Sequence, residues 1–367
     1  MANYLVLGAG GMGSEIARDR LKYEDESNVI VADQNWVALE FLKERIDNLG
    51  SRLMTVCSRS PLDVMMEYCN NFDLVYSCLP YNYNVAVARK AIELGKHMCD
   101  LGGNNSVVDE EFALDDLAKE HKVRIFPDCG IAPGAMSIVA KEGIEELGGV
   151  DNIDSVKMYC GGLPKDPKGF LQYMRVFSVH GLVNEYHEPV EVLRNGKVEE
   201  VEPLTGLECV DFLSENLWAA YTSGGSSRMT KLYEGKINTL FYKTLRYNKE
   251  HWTFMHGLRE LGFFDIGARE VTERIIEKSI SYEGNDLILA KWQFTSKDGR
   301  NLEYYLEIEG DSKRTAMQAV TSDSASIVGE LAVNGSIEEY GVLPQESVPT
   351  KEFLRKWDKR GIYIFEK

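Results

Sequence analysis

NYLVLGAGGMG, at residues 3–13, is the stretch that decides the fold of this 367-residue chain. A short apolar run comes first, and Gly8, Gly10 and Gly13 then follow in the pattern G-x-G-x-x-G. The first glycine of such a pattern permits a tight turn, the second lets the backbone approach a pyrophosphate, and the third allows a helix to pack closely on a strand. The diphosphate then lies on free N–H groups at the helix N-terminus. The stretch therefore predicts a strand, a dinucleotide-binding turn that includes Met12, and a helix.

Asp33 ends the next apolar run, twenty residues after Gly13, and it indicates which dinucleotide binds. A carboxylate at this place accepts hydrogen bonds from ribose hydroxyls but repels the 2′-phosphate of NADP. The residues that follow it, Gln34, Asn35 and Trp36, carry no positive charge. The sequence therefore favours NAD over NADP.

The N-terminal part of the chain, up to Gly130, alternates short apolar runs with amphipathic segments, which is typical of βαβ units and a parallel sheet. The predicted strands lie at 3–8, 29–33, 52–56, 74–78, 97–101 and 123–127. The predicted helices lie at 12–22, 36–48, 61–70, 83–95 and 109–121. This pattern predicts an α/β fold of the Rossmann type, with a doubly wound parallel sheet.

After Pro133-Gly134 the pattern changes to that of an α+β domain with a mixed sheet. Asn195-Gly196 lies between alternating residues, which is a strong signal for a β-hairpin. The predicted strands lie at 153–160, 238–246, 286–295 and 301–309, and the predicted helices at 135–147, 250–261 and 321–334. This segment is expected to bind the substrate.

Residues at the carboxyl ends of the predicted parallel strands are candidates for the site, because ligands of open α/β sheets bind there. Leu79 and Pro80 follow the fourth strand and are expected to contact the cofactor, and Tyr81, next to them, the substrate. Asp100 and Asp128 follow the fifth and sixth strands, and either could fix a substrate ammonium or move its proton. The alternative for both aspartates is a structural role in an Asx-turn or a helix cap.

The middle segment offers further candidates for substrate binding. Gly161 and Gly162 are followed by Leu163 and Pro164. Two adjacent glycines indicate that another group lies close to the backbone, and a bound ligand is one candidate for that group. Tyr173 follows as a lining residue, and Arg175 and Arg246 could each pair with a substrate carboxylate. A surface ion pair is an equally good interpretation of Arg175.

Composition narrows the class of protein. The net charge of −17 and the absence of a basic cluster argue against nucleic acid as a partner. No apolar run approaches the length of a membrane span, and the N-terminus does not resemble an export signal, so a cytoplasmic protein is expected. The seven scattered cysteines and six histidines show no metal-ligand spacing, so no metal is expected. His251 could be catalytic or could cap the helix that begins near it.

Taken together, motifs along nearly the whole chain resemble the saccharopine dehydrogenase family. They are VLGAGGMG (6–13), DLGG (100–103), PDCGIAPG (127–134), GGLPKDPK (161–168), LRNGKVEEVEPL (193–204), TSGG (222–225), KTLRYNKEH (243–251) and LRELGFF (258–264). The resemblance implies that residues 1–130 and 315–367 form the dinucleotide-binding domain. It also implies that residues 131–314 form an inserted domain for substrate binding and oligomerisation, in a homodimer or a higher homo-oligomer.

The resemblance is strongest to the lysine 6-dehydrogenase branch of the family. It implies NAD-dependent oxidative deamination of L-lysine at the ε-carbon, which gives allysine and ammonia. Two alternatives remain: the imine chemistry of saccharopine or carboxynorspermidine dehydrogenases, and an NAD-binding sensor without catalysis. Residues 175–178 lack the tryptophan of many saccharopine reductases, and residues 57–58 lack the usual aspartate near the adenine.

Overall fold

A computed structural model describes residues 2–46, 50–213 and 215–367 and divides the chain into two compact units. The first unit extends to Ile138 and resumes over Gln318–Gly361, and the second comprises Val139–Met317 and Ile362–Lys367. The boundaries expected from the sequence, at residues 130 and 315, lie about eight and three residues from these. The sequence also assigns residues 362–367 to the first domain, whereas they belong to the second unit because Phe365 pairs with Tyr305 there.

The secondary structure alternates strands and helices in the first unit and groups strands in the second. The strands are β1 (Tyr4–Leu7), β2 (Val29–Asp33), β3 (Leu53–Cys57), β4 (Leu74–Ser77), β5 (His97–Asp100), β6 (Arg124–Phe126), β7 (Ile153–Pro164), β8 (Val190–Arg194), β9 (Lys197–Val201), β10 (Glu208–Phe212), β11 (Glu215–Tyr221), β12 (Thr239–Arg246), β13 (Asp286–Ser296), β14 (Asn301–Glu309), β15 (Gly341–Val342) and β16 (Phe365–Glu366). The α-helices are α1 (Gly11–Tyr23), α2 (Trp36–Arg45), α3 (Pro61–Glu67), α4 (Asn84–Glu93), α5 (Asn105–Phe112), α6 (Asp115–Glu120), α7 (Ala135–Glu146), α8 (Val179–His187), α9 (Met229–Leu232), α10 (Lys249–Glu260), α11 (Arg269–Ile280), α12 (Ala316–Val333) and α13 (Thr350–Asp358).

The first unit contains a seven-stranded parallel sheet in the order β15-β6-β5-β4-β1-β2-β3. The order reverses between β1 and β4, as in doubly wound nucleotide-binding folds. Leu5, Val75 and Ile125 are fully buried in this sheet. Strands covered on both faces consist of continuous apolar runs, and this is why the sequence predicts β1, β2, β4, β5 and β6. The sequence also predicts the edge strand β3, although it is only partly buried.

Two predicted helices of the first unit differ in extent from those in the structure. The segment predicted as one helix at 109–121 is divided between two helices, α5 and α6. Helix α5 starts earlier than predicted, because the Asn104 side chain caps it by accepting a hydrogen bond from the Val107 N–H. The helix predicted at 36–48 begins at Trp36, after Asn35 has capped it, and ends at Arg45. Its last predicted residues, 47 and 48, lie outside the described residues.

The second unit contains a mixed sheet of nine strands, in which β12 and β7 are parallel and the other neighbours are antiparallel. The predicted hairpin is confirmed: β8 and β9 are joined by Asn195 and Gly196, which have φ values of 51° and 76°. Positive φ at both central residues matches the right-handed twist of the paired strands. Among the described residues, no helix combines the length and apolar character needed to cross a membrane.

Candidate functional site

The glycine-rich turn between β1 and α1 is built as the sequence predicts. Gly8 has a φ of 104°, and a Cβ there would lie 2.7 Å from the Cys78 carbonyl oxygen. A Cβ on Gly13 would lie 2.0 Å from the Gly8 carbonyl oxygen. Both glycines are therefore required by the packing of α1 against the ends of β1 and β4.

Gly10 is different, because a Cβ there would meet no atom within 4 Å. It directly precedes α1, whose N-terminus has no side-chain cap. Open space beside uncapped backbone N–H groups fits a diphosphate. Met12 lies within the first turn of α1, and its carbonyl oxygen accepts a hydrogen bond of 3.1 Å from the Ser322 hydroxyl.

Asp33 lies beside this turn at the end of β2. Its Oδ2 accepts a hydrogen bond of 2.7 Å from the Ala9 N–H, and its Oδ1 accepts one of 2.8 Å from the Asn35 N–H. Each carboxylate oxygen has a second lone pair that can accept a ribose hydroxyl. The turn and Asp33 thus form one hydrogen-bonded assembly with the features that an adenosine ribose requires.

The segment after β4 reaches the segment after β5. Leu79 is half-buried against the core of the first unit, and Pro80 is exposed. Tyr81 packs on the next segment, because a Cβ on Gly103 would lie 3.0 Å from the Tyr81 ring. The structure therefore brings the predicted residues after these two strands together.

Asp100 ends β5 and connects the two segments after β5 and β6. It is 1% exposed, and its Oδ1 accepts hydrogen bonds from the Gly102 N–H (2.7 Å) and the Asp128 N–H (3.2 Å). Its carbonyl oxygen accepts a further bond of 2.8 Å from the Cys129 N–H. The bond to Gly102 is that of an Asx-turn, so the structural role left open by the sequence is present.

Asp128 has an uncommon backbone conformation. Its φ is 63°, in the left-handed region, and the residue is 4% exposed. A Cβ on Gly102 would lie 2.1 Å from Asp128 Oδ1, so the carboxylate rests directly on the Gly102 backbone. Strained residues of this kind concentrate at functional sites, and we take Asp128 as the better candidate for contact with a substrate.

A third carboxyl group, that of Glu111 on α5, lies with Asp100 and Asp128, and the sequence gives no sign of it. Its side chain is fully buried, and neither carboxyl oxygen has a hydrogen-bond partner, nor does Asp100 Oδ2. Burial and the adjacent Asp100 raise the pKa of Glu111 to about 11. Burial also raises the pKa of Asp100 to about 6, although the backbone N–H bonds from Gly102 and Asp128 act in the opposite direction.

The second unit holds a buried arginine, Arg246, at the end of β12. The guanidinium carbon lies 4.3 Å from the centre of the Tyr173 ring and 5.5 Å from that of Trp252. Its Nε and Nη2 donate to the Tyr186 hydroxyl at 3.2 and 2.8 Å, and its Nη1 donates to the Leu245 carbonyl oxygen at 2.8 Å. Among the described residues, no carboxylate forms an ion pair with this guanidinium.

His251 supports this cluster but does not cap α10. The Asn248 side chain is the cap and accepts from the His251 N–H. The His251 ring lies between the Tyr186 hydroxyl (2.9 Å) and the Leu171 carbonyl oxygen (3.2 Å). Burial and the nearby Arg246 charge lower the pKa of His251 well below its usual value, so the ring is neutral.

The structure offers another explanation for predicted residues of the second unit. Gly161 and Gly162, which are candidates for ligand contact, lie within β7, which continues through both to Pro164. A Cβ on Gly161 would lie 2.8 Å from the Leu245 carbonyl oxygen, and one on Gly162 would lie 2.8 Å from the Met317 side chain. The protein's own packing thus accounts for both glycines without a ligand.

Arg175 is exposed and pairs with Glu277, with 2.5 Å between Nη1 and Oε1. This is the surface ion pair that the sequence left open as an alternative. Tyr186, Trp252 and Glu111 are the residues that sequence reasoning missed. These residues have no sequence signal that distinguishes them from ordinary core residues.

Comparisons with known proteins agree with this arrangement. The family model described as "Saccharopine dehydrogenase NADP binding domain" matches residues 4–126. The model described as "Saccharopine dehydrogenase C-terminal domain" matches residues 130–362. The chain belongs to the saccharopine dehydrogenase family.

Relatives within the family are distant in sequence. The chain is 28% identical over 313 residues to a saccharopine dehydrogenase (NADP(+), L-glutamate-forming) from Schizosaccharomyces pombe, a match that covers 78% of this chain and 66% of that protein. It is 28% identical over 257 residues to an alpha-aminoadipic semialdehyde synthase from Arabidopsis thaliana, a match that covers 66% of this chain and 23% of that protein. The chain thus spans at most about two thirds of the length of these relatives.

One solved structure has the same fold throughout. It is the apo saccharopine dehydrogenase (L-Glu forming) from Saccharomyces cerevisiae, with a TM-score of 0.79 and 18% identity. The match covers 100% of this chain and 99% of the other. The Rossmann-type sheet and the mixed sheet expected from the sequence are therefore confirmed as the fold of this family.

Proposed function

We propose that this member of the family is a nicotinamide-nucleotide-dependent oxidoreductase that acts on a C–N bond of an amino acid, with NAD as cofactor and the ε-carbon of L-lysine as the reacting centre. The observation that carries the proposal is Arg246, a buried guanidinium with no carboxylate partner in an ion pair among the described residues. Glu185 forms no hydrogen bond or ion pair with it among the described residues, and burial raises the pKa of that carboxyl group to about 8, so it is largely protonated at neutral pH. Buried cations are costly unless they are paired. A substrate carboxylate is the partner that would satisfy Arg246.

Arg246 is suited to this role by its donors as well as its charge. Its hydrogen bonds go to two oxygens, of Tyr186 and Leu245, whereas a guanidinium has five N–H groups. Tyr173 and Trp252 hold its faces, so the side chain is positioned before a ligand arrives. A carboxylate that takes the remaining N–H groups forms charge-assisted hydrogen bonds.

The turn at Gly8–Gly13 and the Asp33 carboxylate are the residues that would hold the cofactor. When bound, a nicotinamide nucleotide supplies a hydride acceptor for the carbon that carries the amine. The carboxylate of Asp33 favours NAD, because it would repel a 2′-phosphate. The names of the N-terminal family model and of the Schizosaccharomyces pombe relative mention NADP, so this preference is a proposal about this chain alone.

The amine must lose a proton before its carbon can be oxidised, because only a free lone pair can form the C=N bond. We assign the removal of this proton to Asp128, with water carrying it onward to solvent. Water then adds to the imine carbon, and ammonia leaves. The balanced reaction converts lysine, NAD⁺ and water to allysine, ammonium, NADH and a proton.

The test is NADH formation with L-lysine and two analogues. Cadaverine lacks the carboxylate, and 6-aminohexanoate keeps a carboxylate but lacks the α-amine. If Arg246 binds the carboxylate, lysine is the better substrate and cadaverine has the highest KM. Equal kcat/KM for lysine and cadaverine would contradict the proposal.

The second candidate is oxidation of saccharopine, which the name of the Schizosaccharomyces pombe relative favours. Saccharopine carries further carboxylates, so such an enzyme needs additional cations near Arg246. Arg175 was the sequence candidate for one, but it is paired with Glu277. NADH formation with saccharopine and none with lysine would establish this candidate in place of the first.

A further inference from the structure

Two neighbouring side chains of the first unit, Asp100 and Glu111, carry three buried carboxyl oxygens without a hydrogen-bond partner. These oxygens are Asp100 Oδ2, Glu111 Oε1 and Glu111 Oε2. Asp100 is 1% exposed, and Glu111 is fully buried. An unsatisfied buried polar atom is costly, and a charged one more so. Their presence together requires an explanation in the chemistry of the pair.

Among the described residues, neither carboxyl group forms an ion pair with a lysine or an arginine. Asp128 and the thiols of Cys78 and Cys129 also interact electrostatically with the pair. Burial raises the pKa of both thiols above the ordinary value, so they stay neutral and add no negative charge beside the carboxyl pair.

Two ionised carboxylates in contact would repel each other, and two acceptors cannot form a hydrogen bond. One shared proton removes both difficulties, as in other pairs of adjacent carboxyl groups. The distribution of donors decides where the proton resides. Asp100 accepts two backbone N–H bonds, from Gly102 and Asp128, which stabilise its anion. Glu111 accepts none.

We propose that Glu111 is a positioning residue, a carboxylic acid that stays neutral and donates its proton to Asp100 Oδ2. Asp100 then remains an anion that holds the N–H groups of Gly102 and Asp128. The bond to Asp128 fixes the left-handed conformation of the residue that we assign to proton removal. This link to catalysis rests on the proposed function, whereas the shared proton is a property of the apoprotein.

The pKa values support the same distribution. Burial and the Asp100 charge raise the pKa of Glu111 to about 11, and burial raises that of Asp100 to about 6. Between these values the pair holds one proton. Burial also raises the pKa of Glu185, in the second unit, to about 8. Measurements at about pH 9 therefore isolate Glu111 from Glu185.

Infrared spectroscopy of the apoprotein at about pH 9 tests the proton directly. We expect the C=O stretching band of a neutral carboxylic acid in the wild-type protein and its loss in Glu111→Gln. Glu110→Gln, which changes the adjacent exposed glutamate, is the control and keeps the band. A wild-type protein without the band, or a Glu111→Gln variant that retains it, overturns the proposal. Neither result depends on a substrate.

Hydrogen exchange of the Asp128 amide tests the positioning role. Glu111→Leu removes the donor, so Asp100 takes up a proton more readily and holds the Asp128 N–H more weakly. We expect exchange of this amide to become about tenfold faster, since a hydrogen bond to a charged group is worth at least that factor. Glu111→Gln keeps a donor and restores slow exchange. Equal exchange in Glu111→Leu and wild type overturns the role, whatever activity the enzyme has.

Discussion

At the residue scale, Asp128 has a conformation that suits a clean test of its role. Its φ is 63°, and asparagine tolerates this left-handed region as aspartate does. Asp128→Asn therefore keeps the backbone conformation while it removes the base. We expect kcat to fall by about 10²–10⁴, the usual contribution of general base catalysis. NAD binding should be unchanged.

The matched control for this variant is Asp116→Asn, which changes an exposed aspartate on α6. Steady-state kinetics and titration with NAD compare the two variants. If Asp128→Asn retains wild-type kcat, Asp128 does not remove the proton.

The second residue-scale prediction concerns Arg246. A lysine has the charge but not the fork of N–H donors, so Arg246→Lys should weaken carboxylate binding. We expect KM for lysine to rise about tenfold or more, since hydrogen bonds to charged groups contribute about 1.5–3 kcal/mol. KM for cadaverine should change little, because cadaverine has no carboxylate.

Arg175→Gln is the control, since Arg175 lies in an exposed ion pair, and such pairs have small energetic value. Its KM values should match those of the wild type. A rise in KM for both amines with Arg246→Lys would show a general loss of structure rather than of a carboxylate contact, and thermal unfolding of the variant checks for such a loss.

At the element scale, the turn between β1 and α1 contains two kinds of glycine. Some are needed for packing, and one leaves space for a ligand. Gly13→Ala places a Cβ 2.0 Å from the Gly8 carbonyl oxygen. Overpacking of this kind should lower the free energy of unfolding by about 3 kcal/mol or more. Gly10→Ala meets open space at a φ of −71°. Its free energy of unfolding should change by less than about 0.5 kcal/mol, as for most surface substitutions.

Binding of the cofactor should distinguish the two variants in a different way from their stability. Gly10→Ala occupies the space assigned to the diphosphate, so it should weaken NAD binding while the protein remains folded. Urea unfolding and NAD titration of each variant measure the two effects. Wild-type NAD affinity in Gly10→Ala would place the diphosphate elsewhere.

The elements that the sequence predicts are those with strong local signals. Strands β1, β2, β4, β5 and β6 of the first sheet are continuous apolar runs, and β8–β9 has the hairpin signal of Asn195-Gly196. The end of β10 has no such signal, because the next residue, Leu213, has a φ of 55°. Leucine rarely adopts this left-handed region. Helix α11 starts after Ala268 without a side-chain cap, so its beginning is not marked either.

Candidate site residues could be predicted from the sequence where they directly follow a strand. Those that are distinguished only by their burial could not. Asp33, Asp100 and Asp128 each come after a recognisable strand. Glu111 stands beside Glu110 in an acidic helix, and only the tertiary structure shows that one is buried and the other exposed. Burial likewise distinguishes Arg246 from Arg175.

At the scale of the whole molecule, distant parts of the chain meet in a buried ion network within the first unit. Asp19 on α1 accepts hydrogen bonds from both Nε and Nη2 of Arg360, each at 2.8 Å. Arg20 bonds Asp19 and Glu330. The network therefore joins the N-terminal helix to segments more than three hundred residues away, and it closes the nucleotide-binding unit around its C-terminal part.

This network predicts how stability depends on pH. Burial alone would raise the pKa of Asp19, but the charges of Arg20 and Arg360 lower it to about 2. A carboxyl group with a depressed pKa stabilises the folded state above its unfolded value of about 3.9, and this contribution is lost as the pH falls toward about 2. We expect it to amount to roughly 2 kcal/mol.

Thermal unfolding of the wild type and of Asp19→Asn between about pH 2 and pH 7 measures this contribution. Asp19→Asn should be less stable at neutral pH, and the difference should narrow in acid. Asp116→Asn is the control and should follow the wild type. A constant difference across the range would mean that ionisation of Asp19 does not stabilise the unit.

The assembly of the protein was expected from the family resemblance to be a homodimer or a higher homo-oligomer, and this stays a prediction. The central claim is the oxidation of a lysine C–N bond with NAD. The most direct measurement is NADH formation by the wild-type protein with L-lysine, together with assay of the released ammonia. We predict equal amounts of NADH and ammonia with lysine and NAD, and slower turnover with NADP. NADH formation with saccharopine but none with lysine would contradict the account.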